Sequence, residues 1–283
     1  MPIGGVDRGK VSGAGAPGGE LLIVAALGEE LDTALDLCGS LGRLSVPGIR
    51  AWRGERSGKR IAFLKAGVGP VRSRNSLERF LARARPRAIL ALGYGGALRE
   101  GLRVGDLVAI GRASLLRLDA SPGAALEGAA LDGTWPLQGG ARILEGARLA
   151  GLAIELGDSV TSPQIIGAPA DKRLLYRRFG ASIVDMETGA LARSAAEGGV
   201  ALACVRAVSD EVEDDFLAPL SYDPAAGPAA RAARLLAAGR WIRRYRDWRS
   251  RAERARRALR DFMAWYLDCP EFPAAVSSRN GAA

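Results

Sequence analysis

Histidine is absent from this 283-residue chain. That excludes a Ser-His-Asp or Cys-His nucleophile, which needs an imidazole near neutral pH, and every zinc site with a histidine ligand. Acid–base chemistry must therefore run on carboxylates, Lys, Tyr or Cys. Cysteine is nearly absent too: Cys38, Cys204 and Cys269 lie far apart and are odd in number. They form neither a disulfide framework nor a CxxC metal pair, and a reducing, cytoplasmic setting is expected. No apolar run approaches the roughly 18 residues needed to span a bilayer. The Gly-rich start, MPIGGVDRGKVSGAGAPGGE, lacks the apolar core of a signal peptide and reads as a disordered lead-in over 1–19.

Hydrophobic residues make up 48% and charged residues 25%, enough apolar material for a sizeable core. Short apolar runs recur between helical patterns. Leu21–Leu27, Arg60–Ala66, Arg87–Gly93, Asp106–Gly111, a segment near 152–157, 182–186 and Ala201–Val208 read as strands. Helices are expected over 29–40, Val71–Arg85 (stopped by Pro86), 140–150, 169–179 and 187–198. Residues 112–140, rich in Ala, Gly, Ser and Pro, read as a long surface loop. This alternation predicts a single α/β domain over 20–225, with a central, largely parallel (mixed) twisted sheet flanked by helices. Ligands of such sheets bind beyond the carboxyl ends of the strands.

The net charge is +9, but residues 231–260 alone hold twelve Arg against Asp247 and Glu253, a local +10. The rest of the chain is close to neutral, so the basicity belongs to one segment. There Trp241, Tyr245, Trp248, Ala252, Ala255, Leu259, Phe262 and Tyr266 recur at helical spacing. An amphipathic helical extension is expected over 226–268, with a frayed tail over 269–283. Its stripe suits packing on the body first, and peripheral membrane contact through 231–267 second. A nucleic-acid patch is the least favoured reading.

Carboxylates stand at element junctions: Glu29 and Glu30, Asp158, Glu187 and Asp210. Each has a bland explanation in capping or in the favourable placement of acids at helix N-termini. The Gly clusters at 67–69 and 93–96 do not complete GxGxxG, which argues against a dinucleotide site. No cofactor and no metal are expected.

The combination says more than its parts. Val184-Asp185-Met186-Glu187-Thr188, followed by Arg206-Ala207-Val208-Ser209-Asp210, resembles the nucleoside phosphorylase/nucleosidase superfamily. So do Ala26-Leu27-Gly28-Glu29-Glu30 after the first strand, the Gly67–Pro70 turn, Gly93-Tyr94-Gly95-Gly96-Ala97, Val104-Gly105-Asp106 and Gly157-Asp158, all in family order over about 21–215. The pattern is similar to methylthioadenosine/S-adenosylhomocysteine nucleosidases. The VDME sequence and the Arg-rich extension also resemble hopanoid-associated adenosylhopane nucleosidases, which remove adenine from a lipid-linked nucleoside.

The resemblance implies Asp210 as general acid on the purine N7, oriented by Ser209, and Glu30 as the base activating water. It implies Glu187 on the ribose 2′- and 3′-hydroxyls and Met186 on the sugar face. Gly96 and the backbone at Val160 and Thr161 would contact the substrate, although the family's usual aromatic near Val160 is missing. It further implies a small-molecule purine nucleoside as partner and a homo-oligomer, most simply a dimer. Related phosphorylases carry an Arg where this chain has Ala91, and the loop after the first strand is acidic. Hydrolysis is therefore favoured over phosphorolysis; a non-enzymatic nucleoside-binding module is the third reading.

Overall fold

The computed structural model describes residues 21–117, 126–137, 139–215 and 238–269, with side chains from residue 250 onward in the last segment. The expected lead-in over 1–19, residues 216–237 and the tail beyond 269 lie outside the described residues.

Ten strands form one sheet: β1 (Leu21–Ala25), β2 (Gly39–Leu44), β3 (Arg50–Arg56), β4 (Lys59–Lys65), β5 (Ala88–Ala97), β6 (Leu107–Arg117), β7 (Ala130–Pro136), β8 (Glu155–Thr161), β9 (Ile183–Asp185) and β10 (Ala201–Asp210). The helices are α1 (Gly28–Leu35), α2 (Pro70–Leu81), α3 (Gly139–Leu149), α4 (Pro169–Phe179), α5 (Thr188–Glu197) and α6 (Ala238–Asp268). The strand order is β10-β6-β8-β9-β5-β1-β4-β3-β2, and β10 also pairs with β5. The pairings β10–β6–β8–β9–β5 thus close a ring, from which β1, β4, β3 and β2 extend as an open wing.

The wholly apolar runs are the central strands. In β1, Leu21, Ile23 and Ala25 pack with one cluster and Leu22 and Val24 with the other. Helices α1, α3 and α6 supply residues to the first cluster and α2 and α5 to the second. Strands covered on both faces read as continuous hydrophobic runs because neither face meets water. The central pairings β1–β4, β1–β5, β5–β10, β6–β8 and β8–β9 are parallel. The other five are antiparallel, so the sheet is mixed.

Two regions depart from expectation. Residues 112–140 are not one loop: β6 continues to Arg117, a 3₁₀ turn spans Leu126–Gly128, and β7 pairs with β6. Strands β2 and β3 have no counterpart in the sequence reading. β2, β3 and β7 lie toward the margins of the sheet, with few buried positions and many Gly and polar residues, so they lack an apolar run. Helix α1 stops at Leu35, well before residue 40.

In α6, Ala252, Ala255, Leu259, Phe262 and Tyr266 are all buried, as are Met263 and Leu267. Six of these, Ala255, Leu259, Phe262, Met263, Tyr266 and Leu267, join the core cluster that holds β1 and β10. The described part of the stripe is therefore covered by the body and is not offered to a membrane. Trp241, Tyr245 and Trp248 lie where side chains are not described. Among the described residues, no helix is long and apolar enough to cross a membrane.

Candidate active site

The register of β5 against β10 builds the floor of the site. Arg206 lies opposite Gly93, Ala207 opposite Tyr94, Val208 opposite Gly95 and Asp210 opposite Gly96, with an irregularity at Ser209. The glycines leave room for the groups across from them. A Cβ on Gly93 would meet Arg206 Nη1 at 1.9 Å, and one on Gly96 would meet Asp210 Oδ2 at 2.9 Å. At the carboxyl ends of these strands lies a cavity of about 200 Å³. Its wall includes Glu30, Tyr94, Gly96, Met186, Glu187, Ser209 and Asp210, together with Gln164–Ile166 and Ala252 of α6.

Glu30 is buried at the start of α1. Its Oε2 accepts the N–H of Leu27 at 2.8 Å and its Oε1 the N–H of Tyr94 at 2.9 Å. The capping role and the placement in the cavity are thus filled by one carboxyl. Burial raises its pKa, opposed first by Arg206 and then by these two N–H groups.

Glu187 leads into α5, and its Oε1 accepts the N–H of Gly69 at 2.8 Å. Gly69 has φ +93°, a conformation that glycine adopts freely, so the Gly67–Pro70 turn aims this donor into the site. Burial pushes the Glu187 carboxyl up to about 7, with Arg206 pulling down and Asp185 adding to the rise.

Asp210 is held at both oxygens. Ser209 Oγ donates to Oδ1 at 2.7 Å, and Lys172 Nζ stands 2.5 Å from Oδ2. Ser209 Oγ also donates to the carbonyl of Gly95 at 3.2 Å. Met186 is half-buried in the wall beside Glu187.

Other residues named from the sequence fall elsewhere. Val160 and Thr161 are not on the cavity wall. Val160 is packed with Leu98 and Val184 in a separate apolar cluster. Thr161 Oγ1 donates to Asp185 Oδ1 at 2.6 Å and accepts the N–H of Gly189 at 2.7 Å, which makes it scaffold for α5. The wall beyond β8 is made instead by Gln164, Ile165 and Ile166, because β8 keeps pairing with β9 up to Thr161↔Asp185. Asp158 pairs with Arg112 at 2.5 Å outside the cavity, and Glu29 is exposed.

Sequence reasoning missed three charged residues. Arg206 is 1% exposed; its Nε lies 3.0 Å from Asp185 Oδ2, and its Nη2 donates to Thr188 Oγ1 at 2.7 Å. Its Nη2 is also 4.0 Å from Glu187 Oε2. Burial works against its charge, but Asp185, Cys204, Glu187 and Glu30 outweigh that and raise its pKa. Asp185 also accepts the N–H groups of Glu187 and Thr188, capping α5. The third is Lys172. A charged residue inside an otherwise apolar strand, as Arg206 is in ALACVRAV, was the available signal. Tyr94 keeps a buried hydroxyl without a hydrogen-bond partner among the described residues. No metal-binding cluster occurs among the described residues.

Buried carboxylates around a cavity at the carboxyl ends of strands define an α/β protein with an acid–base pocket. The chain belongs to the phosphorylase superfamily, whose family model matches residues 20–238. The 5′-methylthioadenosine/S-adenosylhomocysteine nucleosidase of Staphylococcus haemolyticus is 24% identical over 214 residues, covering 74% of this chain and 93% of the relative. The futalosine hydrolase of Thermus thermophilus is 30% identical over 168 residues, 56% of this chain and 73% of the relative. Among solved structures, the Neisseria meningitidis 5′-methylthioadenosine/S-adenosylhomocysteine nucleosidase in complex with methylthio-immucillin-A superposes with a TM-score of 0.66 at 17% identity. That match covers 86% of this chain and 96% of the other.

Proposed function

We propose that this N-glycosyl hydrolase cleaves the C1′–N9 bond of a purine nucleoside, with adenine as the base. The carrying observation is that Glu30, Glu187, Met186, Ser209 and Asp210, drawn from three separate stretches of sequence, line one cavity. Breaking the bond builds positive charge on the sugar and negative charge on the base. Asp210 donates a proton to N7, and its orientation is set by Ser209. Glu187, with one oxygen on Gly69 N–H, turns the other to the 2′- and 3′-hydroxyls. Glu30 takes the proton of the attacking water; its burial makes it a better base than an exposed glutamate. Each acid–base role is typically worth about 10²–10⁴-fold in rate.

Water is favoured over phosphate on charge. Arg206 is near, but its Nε and Nη2 are engaged by Asp185 and Thr188. An incoming phosphate would face Glu30 and Glu187, whereas neutral water would not be repelled.

The named relatives support nucleoside-type substrates, and the test is a panel built on them. Adenosine, 5′-methylthioadenosine, S-adenosylhomocysteine, futalosine and a lipid-linked adenosine are incubated with and without phosphate, and free base and sugar are measured. Phosphate-independent release of base with free sugar is expected, lost in Asp210→Asn and Glu187→Ala. Ribose 1-phosphate made only with phosphate would establish phosphorolysis instead. Tight binding with no base released from any substrate would establish a binding module. The lipid-linked arm, with co-sedimentation on anionic vesicles, tests whether the Arg-rich residues 231–249 bring the substrate's membrane within reach.

A further inference from the structure

Lys172 stands behind the cavity on α4, with its side chain 0% exposed. Its ammonium is 2.5 Å from Asp210 Oδ2 and donates to the carbonyls of Glu211 at 2.6 Å and Asp214 at 3.1 Å. Three N–H bonds meet three acceptors, which is the valence of an ammonium; a neutral amine would turn its lone pair on one of them. Asp210 is thereby clamped, with Oδ2 on Lys172 and Oδ1 on Ser209 Oγ. The segment that supplies the carbonyls is itself anchored. Asp214 accepts the N–H of Glu211 at 2.8 Å and is ion-paired with Arg251 of α6. Burying an ammonium is costly, and such a pair is weak evidence of stabilisation, so a catalytic use is the more informative reading.

We propose that Lys172 is the positioning residue for proton donation by Asp210, an inference that rests on Asp210 being the acid on the purine. As the C1′–N9 bond breaks, its electron pair leaves with the base. The proton moves from Asp210 to N7, and the base departs neutral. The negative charge that remains sits on Asp210. A carboxyl that still carries its proton gains little from the ammonium. After transfer, a full carboxylate faces a fixed cation at contact distance, away from water. Lys172 therefore favours the transition state over the ground state. It also holds the carboxyl in one orientation, so that no rearrangement is needed when the proton leaves.

The experiment compares two ribosides. One is 5′-methylthioadenosine, or whichever adenine nucleoside of the panel turns over fastest, whose base needs a proton to leave. The other is 4-nitrophenyl riboside, whose phenolate leaves without one. Lys172→Met should lower kcat for the adenine nucleoside by about 10²-fold, with little change in KM. Cleavage of the nitrophenyl riboside should stay within about threefold of the unaltered protein. Lys172→Arg, which keeps the cation but not the three-acceptor fit, should show a smaller loss with the same selectivity. Asp210→Asn should show that selectivity in full.

Equal losses on both ribosides in Lys172→Met, or unchanged turnover of both, would overturn the proposal. If Asp210→Asn were selective and Lys172→Met were not, only the role of Lys172 would fall. If Asp210→Asn slowed both equally, the assignment of the acid would fall with it. Should Lys172→Met not fold, Lys172→Arg decides by the same ratio. Should the nitrophenyl riboside not be cleaved at all, the split decides: a loss carried by KM rather than kcat overturns the proposal.

Discussion

Replacing Gly93 by Ala tests the electrostatic arrangement of the site with one methyl group. The new Cβ would lie 1.9 Å from Arg206 Nη1, 3.2 Å from Arg206 Cζ and 3.0 Å from Glu30 Oε1. Ordinary contact lies near 3.5 Å, so the guanidinium must retreat by roughly 1.5 Å. An exposed arginine would swing away freely. Arg206 is 1% exposed and pinned to Asp185 and Thr188 at 2.7–3.0 Å. Retreat breaks those bonds and leaves buried charge uncompensated, at a cost of about 3–5 kcal/mol. For a chain of this size that lowers Tm by roughly 6–20 °C. Glu30, the proposed base, is displaced as well, and a misplacement of about 1 Å in a catalytic constellation costs about 10²-fold in rate.

Calorimetry and base-release kinetics read both effects. Gly58→Ala is the control, because its φ of +72° imposes backbone strain while nothing lies within 4 Å of the added carbon. That control should cost only about 1–2 kcal/mol. If Gly93→Ala melted with the control, or kept full activity, Arg206 would not be pinned as described and the reasoning would fail.

Glu187 carries a pH signature. Its folded pKa of about 7 lies above the carboxyl's ordinary 4.5, so the folded state keeps this proton longer than the unfolded chain. The resulting stability is present below about pH 4.5 and is lost as pH rises through about 7, by roughly 3 kcal/mol in all. Glu187→Gln should therefore melt higher than the unaltered protein at pH 8 and close to it at pH 4.5; parallel pH–Tm curves would refute this. In the proposed role the carboxylate form accepts the ribose hydroxyls, so kcat/KM should rise with pH through about 7, and an absence of that limb in the pH–rate profile would count against the assignment. Phe262→Ala, at a fully buried position of α6, should cost about 3–5 kcal/mol by chemical denaturation. A cost below about 1 kcal/mol would mean that α6 is not part of the core. Gly69→Ala, at φ +93°, should destabilise by about 1–2 kcal/mol and raise KM, because the N–H that holds Glu187 moves.

Much of this protein was legible in its sequence, for local reasons. The apolar runs of β1, β5 and β10 are buried on both faces, so their strand character needs no partner to be read. Helix α4 begins at Pro169 and ends against Gly180 with φ +65°, so its bounds are written in the residues themselves. The carboxylates Glu30, Glu187 and Asp210 were visible because each sits at a strand-to-helix or strand-to-loop junction. Strands β2, β3 and β7 were not legible, since pairing at the margin of a sheet leaves little apolar trace. The absence of histidine likewise followed from composition alone, and it left acid–base chemistry to carboxylates, Lys, Tyr or Cys.

What only the tertiary structure decided is which charges meet. Arg206 reads as an anomaly inside an apolar strand until β10 pairs with β5 and Gly93 opens the space for it. Lys172 reads as one surface cation among forty Lys and Arg until α4 brings it behind Asp210. The stripe of α6 could have faced a membrane, a nucleic acid or the body; over 252–267 it faces the body. The physical reason is common to all three. A buried charge or an apolar stripe is tolerated only where a partner stands across from it, and that partner lies tens of residues away along the chain.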